Sequence, residues 1–252
     1  MPRFFIKDEN IGNTDTVTIT GEDARHISFS LRMRVGDNIT LCDFFNYEYD
    51  CTIKSIDGEK VVLDICDKHP SQNEPNIKVS VYQALPKAQK LELIIQKCVE
   101  LGVFEIVPVL TSRCISRPDD KSSEKKTRRY NIISEEAAKQ SGRGSVPQIS
   151  ETVSFKKAVE QMKGADIAFM CYEAEDTDGG NDLKSFLQKS LTKETKSVAF
   201  FVGSEGGISE DEAEFARANG ISCVSLGKRI LRTETAPLCV LSCIMYETDN
   251  MK

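Results

Sequence analysis

The chain has 252 residues, with 40% apolar and 29% charged side chains, an ordinary balance for a globular protein. No apolar run approaches the roughly 18 to 20 residues a membrane span needs, and the N-terminus is charged by Arg3 without an apolar core, so neither a spanning helix nor a secretory signal is expected. The formal net charge of −6 argues against a uniformly basic nucleic-acid binder, but the charge is unevenly spread: residues 1–70 carry 8 basic and 13 acidic groups, residues 71–160 carry 15 and 11, and residues 161–252 carry 10 and 15. A polyanion is therefore expected to dock on the middle of the chain.

The first 70 residues read as β-rich. Val17–Thr20 and Asn38–Asp43 are short alternating runs, and Tyr47–Ile56 alternates up to the tight pair Asp57-Gly58, which turns into Lys60–Ile65. Short strands joined by turns predict a small barrel or sandwich, interrupted by a helical turn around residues 21–26. Residues 69–76, polar with two prolines, mark the expected boundary between a domain over 1–70 and one over 77–252.

Beyond it the rhythm becomes that of an α/β fold. Val79–Leu85 reads as a strand, and Pro86 is expected to open a helix whose buried face is Leu91, Ile94, Ile95, Cys98 and Val99, closed by Gly102. Ile106–Leu110 is the next strand, with Pro108 predicting an edge or bulge. Ile167–Tyr172, Ser197–Val202 and Ser222–Leu226 are further strands with helical sequence between them. That alternation implies a parallel sheet with crossover helices.

Two turns carry the candidate site. Ser197–Val202 runs into Gly203-Ser204-Glu205-Gly206-Gly207-Ile208, and Ser209 with Glu212 forms a capping box at the start of a helix. Glycines admit a ligand close to backbone, and the free N–H groups of a helix start bind polar atoms. Neither the dinucleotide nor the nucleotide-triphosphate glycine spacing is present, and Glu205 disfavours phosphate. The second turn, Leu226-Gly227, leads into Lys228-Arg229-Ile230-Leu231-Arg232-Thr233-Glu234-Thr235-Ala236 and then an apolar helix from Pro237 to about Tyr246. Both turns follow strands, on the rim where open α/β sheets bind ligands.

These two segments resemble the SPOUT class of methyltransferases, and within it the enzymes that methylate N3 of a uridine in 16S ribosomal RNA of the small subunit. Pro2-Arg3-Phe4-Phe5, His26, Leu31–Asp37, Leu85-Pro86-Lys87, Glu100–Val103 and Glu136–Arg143 extend the match over nearly the whole chain. The resemblance implies an N-terminal PUA-like β-barrel that helps bind RNA and a C-terminal domain with a trefoil knot. It also implies a homodimer and S-adenosylmethionine as cofactor. It assigns donor binding to Leu85, Tyr172, Glu173, Gly203, Ser204, Glu205, Gly206, Leu226, Gly227, Ile230, Leu231 and Ala236. Arg229, Arg232 and Glu234 are the candidates for catalysis, with Glu234 either a base or the ion-pair partner of an arginine. Arg3, Arg32, Arg34, Arg128, Arg129 and Arg143 are the expected RNA contacts. The chain departs from the family at Ser204, usually proline, which is expected to loosen the turn, and at Tyr130, commonly tryptophan.

Nine cysteines without a CxxC pair suggest reduced thiols in the cytoplasm and no metal site. The C-terminal helix, apolar on nearly every face, is expected to be covered by its own sheet on one side and a partner subunit on the other, with Ile244 on either the partner side or the sheet side.

Overall fold

The computed structural model describes residues 2–6, 15–43, 46–115, 120–173 and 181–251. Residues 116–119 of the basic middle stretch, 71–160, lie outside the described residues. The chain divides into two compact units, one of Met1–Glu74 with Ala138–Val146, the other of Pro75–Ala137 with Pro147–Lys252.

The first unit is a five-stranded sheet in the order β1-β3-β4-β5-β2, built from β1 (Arg3–Phe5), β2 (Thr16–Thr20), β3 (Asn38–Cys42), β4 (Tyr47–Asp57) and β5 (Lys60–Pro70). All neighbours are antiparallel except β1 with β3. Two register shifts, at Asp50/Cys51 and Ile53/Ser55, bend the long β4–β5 hairpin. Its core gathers Phe4, Val17, Ile19, Ile39, Leu41, Ile53 and Leu63, the alternate residues of each strand. The helical turn is α1 (Glu22–Arg25), continued by a π-helical turn over His26–Ser30. β5 ends at Pro70, just inside the expected boundary segment, and residues 138–146 return to this unit from far along the chain.

The second unit is a parallel sheet in the order β12-β10-β11-β6-β7-β8, with β9 also paired to β7. Its strands are β6 (Lys78–Ala84), β7 (Glu105–Leu110), β8 (Gln148–Ile149), β9 (Val153–Ser154), β10 (Ile167–Cys171), β11 (Ser197–Val202) and β12 (Ser222–Val224). Pro108 is not on an edge: it pairs with Gln83 of β6 on one side. On the other it falls at the break between β8, which meets Glu105 and Ile106, and β9, which meets Val109 and Leu110. The missing N–H of the proline thus coincides with an interruption in pairing.

The helices are α2 (Lys90–Glu100), α3 (Asp120–Ser141), α4 (Phe155–Met162), α5 (Leu183–Ser190), α6 (Glu210–Ala218) and α7 (Ala236–Glu247). α2 buries the five expected residues and ends before Gly102, whose φ of +93° lets Val103 donate back to the Cys98 carbonyl. It does not open at Pro86. Ala88 adopts φ +55° and the Lys87 N–H donates to the Glu205 carboxylate, so the first helical turn is postponed to Lys90.

Ile244 of α7 is fully buried within its own unit, together with Val240, Leu241 and Met245. Of the two placements open to Ile244, toward a partner or toward its own sheet, it takes the second. The helix turns Ile244 inward and leaves Cys239, Ser242, Cys243 and Tyr246 on its other face, with Tyr246 72% exposed. Among the described residues no helix is long and apolar enough to cross a membrane, and no three His, Cys, Asp or Glu side chains gather as a metal site.

Candidate active site

The ends of β10, β11 and β12 and the start of α2 enclose a cavity of about 720 Å³ in the second unit. Each strand delivers its following loop to the same rim. From β10 come Tyr172 and Glu173; from β11, Gly203, Ser204, Glu205 and Gly206; and from β12, Leu226 and Gly227. The next segment adds Arg229, Ile230, Leu231 and Arg232, and the first turn of α7 adds Ala236. Thirteen of the fifteen sequence-chosen donor-site and catalytic residues therefore meet at one cavity.

The two others do not line it. Leu85 borders a separate small cavity of about 20 Å³ with Pro86, Leu91 and Tyr130. Glu234 is turned toward Lys90 and is largely covered, its side chain 16% exposed.

The two glycine turns are built alike. In the first, Ser204 is buried and its Oγ accepts from the Gly206 N–H at 3.4 Å, while the Gly207 N–H donates to the Ser204 carbonyl at 2.9 Å. Serine thus braces the turn with a hydrogen bond of its own where a proline would brace it by restricting φ. In the second turn Ser225 Oγ accepts from the Gly227 N–H at 3.3 Å. Gly207 and Gly227 have φ of +69° and +96°, the region that side chains other than glycine rarely adopt. At Gly227 nothing lies within 4 Å of where a Cβ would stand, whereas at Gly207 a Cβ would run into the Glu173 carboxylate. Ser209 and Glu212 complete the expected capping box at the start of α6.

Several residues outside the sequence-chosen site set hold the site together. Thr233 Oγ1 donates to the Gly203 carbonyl at 2.8 Å, and the fully buried Gln83 reaches Thr233 Oγ1 from β6 at 3.0 Å. Gln83 Oε1 has no hydrogen-bond partner. Arg113 Nη1 donates to the Gly206 carbonyl at 3.0 Å. Lys90 Nζ lies 3.0 Å from Glu205 Oε1 and 3.1 Å from Glu234 Oε2.

The electrostatics follow from this geometry. At Glu205 burial opposes ionisation, but its own backbone N–H, Lys90 and the Lys87 N–H outweigh it and hold the carboxyl below the usual range. Glu234 is lowered by its own backbone N–H and then by Lys90, with Arg232 3.9 Å away. Hydrogen bonds to Glu205 and Glu234 raise Lys90. Both acids are thus carboxylates and Lys90 an ammonium near neutral pH.

The expected RNA-contact arginines occupy three kinds of place. Arg32 and Arg34 are exposed in the first unit, in a segment that also exposes Phe29 and Val35. Arg128 and Arg129 are exposed on α3, where they pair with Glu124 and Glu92 at 2.7 and 2.8 Å. Arg3 and Arg143 are covered. Arg3 pairs with Glu48 at 2.7 Å. Arg143, 4% exposed, holds Glu74 through Nε at 3.1 Å and Nη2 at 2.5 Å, while the backbone N–H groups of Gly144 and Ser145 donate to the same carboxylate. The Arg143 guanidinium is thereby committed to an internal carboxylate.

Two family models match the chain. Residues 72–245 match the RNA methyltransferase domain and residues 19–66 match the RNA methyltransferase PUA domain. The chain belongs to the RNA methyltransferase family and, within it, groups with the ribosomal RNA small subunit methyltransferases E. The protein of that name from Bacillus subtilis is 37% identical over 255 residues, covering 100% of this chain and 99% of the relative. That from Synechocystis is 32% identical, covering 90% and 72%. The crystal structure of the Neisseria gonorrhoeae protein of the same name, bound to S-adenosyl methionine, superposes with a TM-score of 0.84 at 29% identity, covering 98% of each chain.

Proposed function

We propose that this chain transfers a methyl group from S-adenosylmethionine to N3 of a uridine in 16S ribosomal RNA of the small subunit. The observation that carries the reading is the rim cavity itself: two serine-braced glycine turns, tied by the Thr233–Gly203 hydrogen bond, facing one space large enough for a nucleoside-sized donor.

The residues present fit that donor. Glycine turns bring backbone amides to an adenine edge, Leu226, Ile230 and Leu231 supply apolar wall, and Glu173 and Glu205 bring negative charge to the cavity. When bound, the donor supplies an electrophilic methyl group on a positively charged sulfur. The protein must hold the acceptor in line with that methyl and favour loss of the N3 proton. N3 lies on the pairing edge of uracil, so the base has to be unpaired and unstacked first. As the N3 proton passes to solvent water, Arg229 and Arg232 at the cavity wall stabilise the uracil anion left behind. Glu234, covered and bridged to Lys90, orients this segment and is not the base.

For RNA, Arg32 and Arg34 beside exposed Phe29 combine charge with a stacking surface, and Arg128 and Arg129 add charge on α3. Arg3 and Arg143 act by holding their own unit together. The open α7 face, Cys239, Ser242, Cys243 and Tyr246, supports a homodimer. The return of the 226–235 segment to β6, through Gln83 and Thr233, supports the knotted threading. Nine free thiols agree with a cytoplasmic enzyme.

Calorimetry with S-adenosylmethionine, followed by nucleoside mass spectrometry of small-subunit RNA treated with the protein, tests the reading. It requires donor binding and the appearance of 3-methyluridine.

A further inference from the structure

We propose that Lys90 is a positioning residue of the donor site: its ammonium clips the glycine turn to the segment after β12 and sets the gap between them. The proposal rests on the methyl-donor reading above and adds a residue that neither glycine turn contains.

Lys90 is the first residue of α2 and lines the cavity. Its Nζ stands between Glu205 Oε1 at 3.0 Å and Glu234 Oε2 at 3.1 Å. These two acids lie on the two different loops that wall the cavity. The charged groups meeting there are Lys90 from α2, Glu205 from the glycine turn, and Glu234 with Arg232 from the later segment. One ammonium thus serves two carboxylates, and Arg232 at 3.9 Å is a weaker, mostly exposed neighbour.

Removing the ammonium leaves two carboxylates facing one another across the joint. Their repulsion pushes the loops apart, because like charges in a partly covered site are screened less than in water. The fold has other anchors. The Thr233–Gly203 hydrogen bond joins the same loops at backbone level, and the Lys87 N–H still holds Glu205. The effect should therefore fall on the cavity and leave folding intact.

The test is calorimetry with S-adenosylmethionine on the full chain, comparing wild type, Lys90→Met, Lys90→Arg and Lys90→Met with Glu234→Gln. Circular dichroism and a melt check the fold. Lys90→Met should weaken donor binding about tenfold near neutral pH. Lys90→Arg should recover most of the loss. Adding Glu234→Gln to Lys90→Met should also recover it, since the repulsion goes with the second charge. For the same reason the deficit of Lys90→Met should shrink only as the pH falls through the carboxylate range, to about pH 4 or below. Donor affinity of Lys90→Met equal to wild type overturns the proposal. So does a deficit that neither Glu234→Gln nor lower pH relieves, because it would mean that the ammonium touches the donor itself. Should Lys90→Met fail to fold, Glu234→Gln alone decides: it must weaken binding by loosening the clip, and unchanged affinity overturns the proposal. A wild-type chain that does not bind the donor at all would instead remove the methyl-donor reading, which the wild-type measurement shows separately.

Discussion

Thr233 and Gly203 lie thirty residues apart, yet the threonine hydroxyl donates to the glycine carbonyl at 2.8 Å and so joins the two loops of the site. The hydroxyl also receives the Gln83 side-chain amide, and Gln83 and Thr233 are both buried. Thr233→Val keeps the shape and removes both bonds. The Gly203 carbonyl would keep only Gln83 Nε2 at 3.4 Å. A buried group left unsatisfied costs about 1–3 kcal/mol. A lower melting temperature together with weaker donor binding is expected, and a melt with calorimetry reads both.

The glycine turn should reject side chains for two separable reasons. At Gly207 a methyl group meets the Glu173 carboxylate and a φ of +69°. Gly207→Ala should lower donor affinity by about tenfold, or 1.4 kcal/mol. Glu173→Ala removes the collision but not the backbone strain, so Gly207→Ala should cost less donor affinity when compared with Glu173→Ala alone than when compared with wild type. At Gly206 a Cβ would stand 3.1 Å from Arg113 Cβ and 3.2 Å from its carbonyl, so Gly206→Val should displace Arg113 and also weaken donor binding.

The arginines should separate into two groups by what their removal changes. Breaking the buried Arg143–Glu74 pair leaves an uncompensated carboxylate, at a cost of about 3–5 kcal/mol. Arg143→Ala should destabilise the protein. Arg32→Ala with Arg34→Ala should leave stability unchanged and flatten the slope of log K for RNA against log salt, by about one unit for each arginine that touches a phosphate. Denaturant melts and filter binding across salt concentrations tell the two behaviours apart.

On α7 the expected outcomes divide by face. Ile244 is fully buried, so Ile244→Lys places an unpaired charge in the core and should unfold the domain. Tyr246 is 72% exposed on the opposite face, so Tyr246→Glu should leave the fold intact and yield monomers. Sedimentation and circular dichroism on both variants check this, and a Tyr246→Glu dimer as tight as wild type would put the interface elsewhere.

What the sequence made legible were features written locally. The glycine turns, the Ser209–Glu212 capping box and the buried face of α2 all follow from spacing within one element, and the structure contains each of them. What stayed hidden depends on chain segments meeting from a distance. Gln83 lies in an apolar strand, and only the return of Thr233 gives it a role. Lys90 reads as one more polar position of an amphipathic helix until Glu205 and Glu234 arrive from more than a hundred residues away. Arg143 shows its charge in the sequence but not its burial, because the segment 138–146 folds back onto the first unit. Pro108 points to an edge or a bulge by its missing N–H but not to an internal gap, since the two short strands flanking that gap have little pattern of their own.

The most direct test of the proposed reaction is nucleoside mass spectrometry of small-subunit ribosomal RNA, from cells lacking this gene, after incubation with the purified protein and S-adenosylmethionine carrying a labelled methyl group. Label is expected in 3-methyluridine, and Thr233→Val with Gly207→Ala should reduce it at limiting donor concentration. Label in a ribose 2′-O-methyl group or a methylated purine, or no label from a protein shown to bind the donor, would contradict uridine N3 as the methyl acceptor.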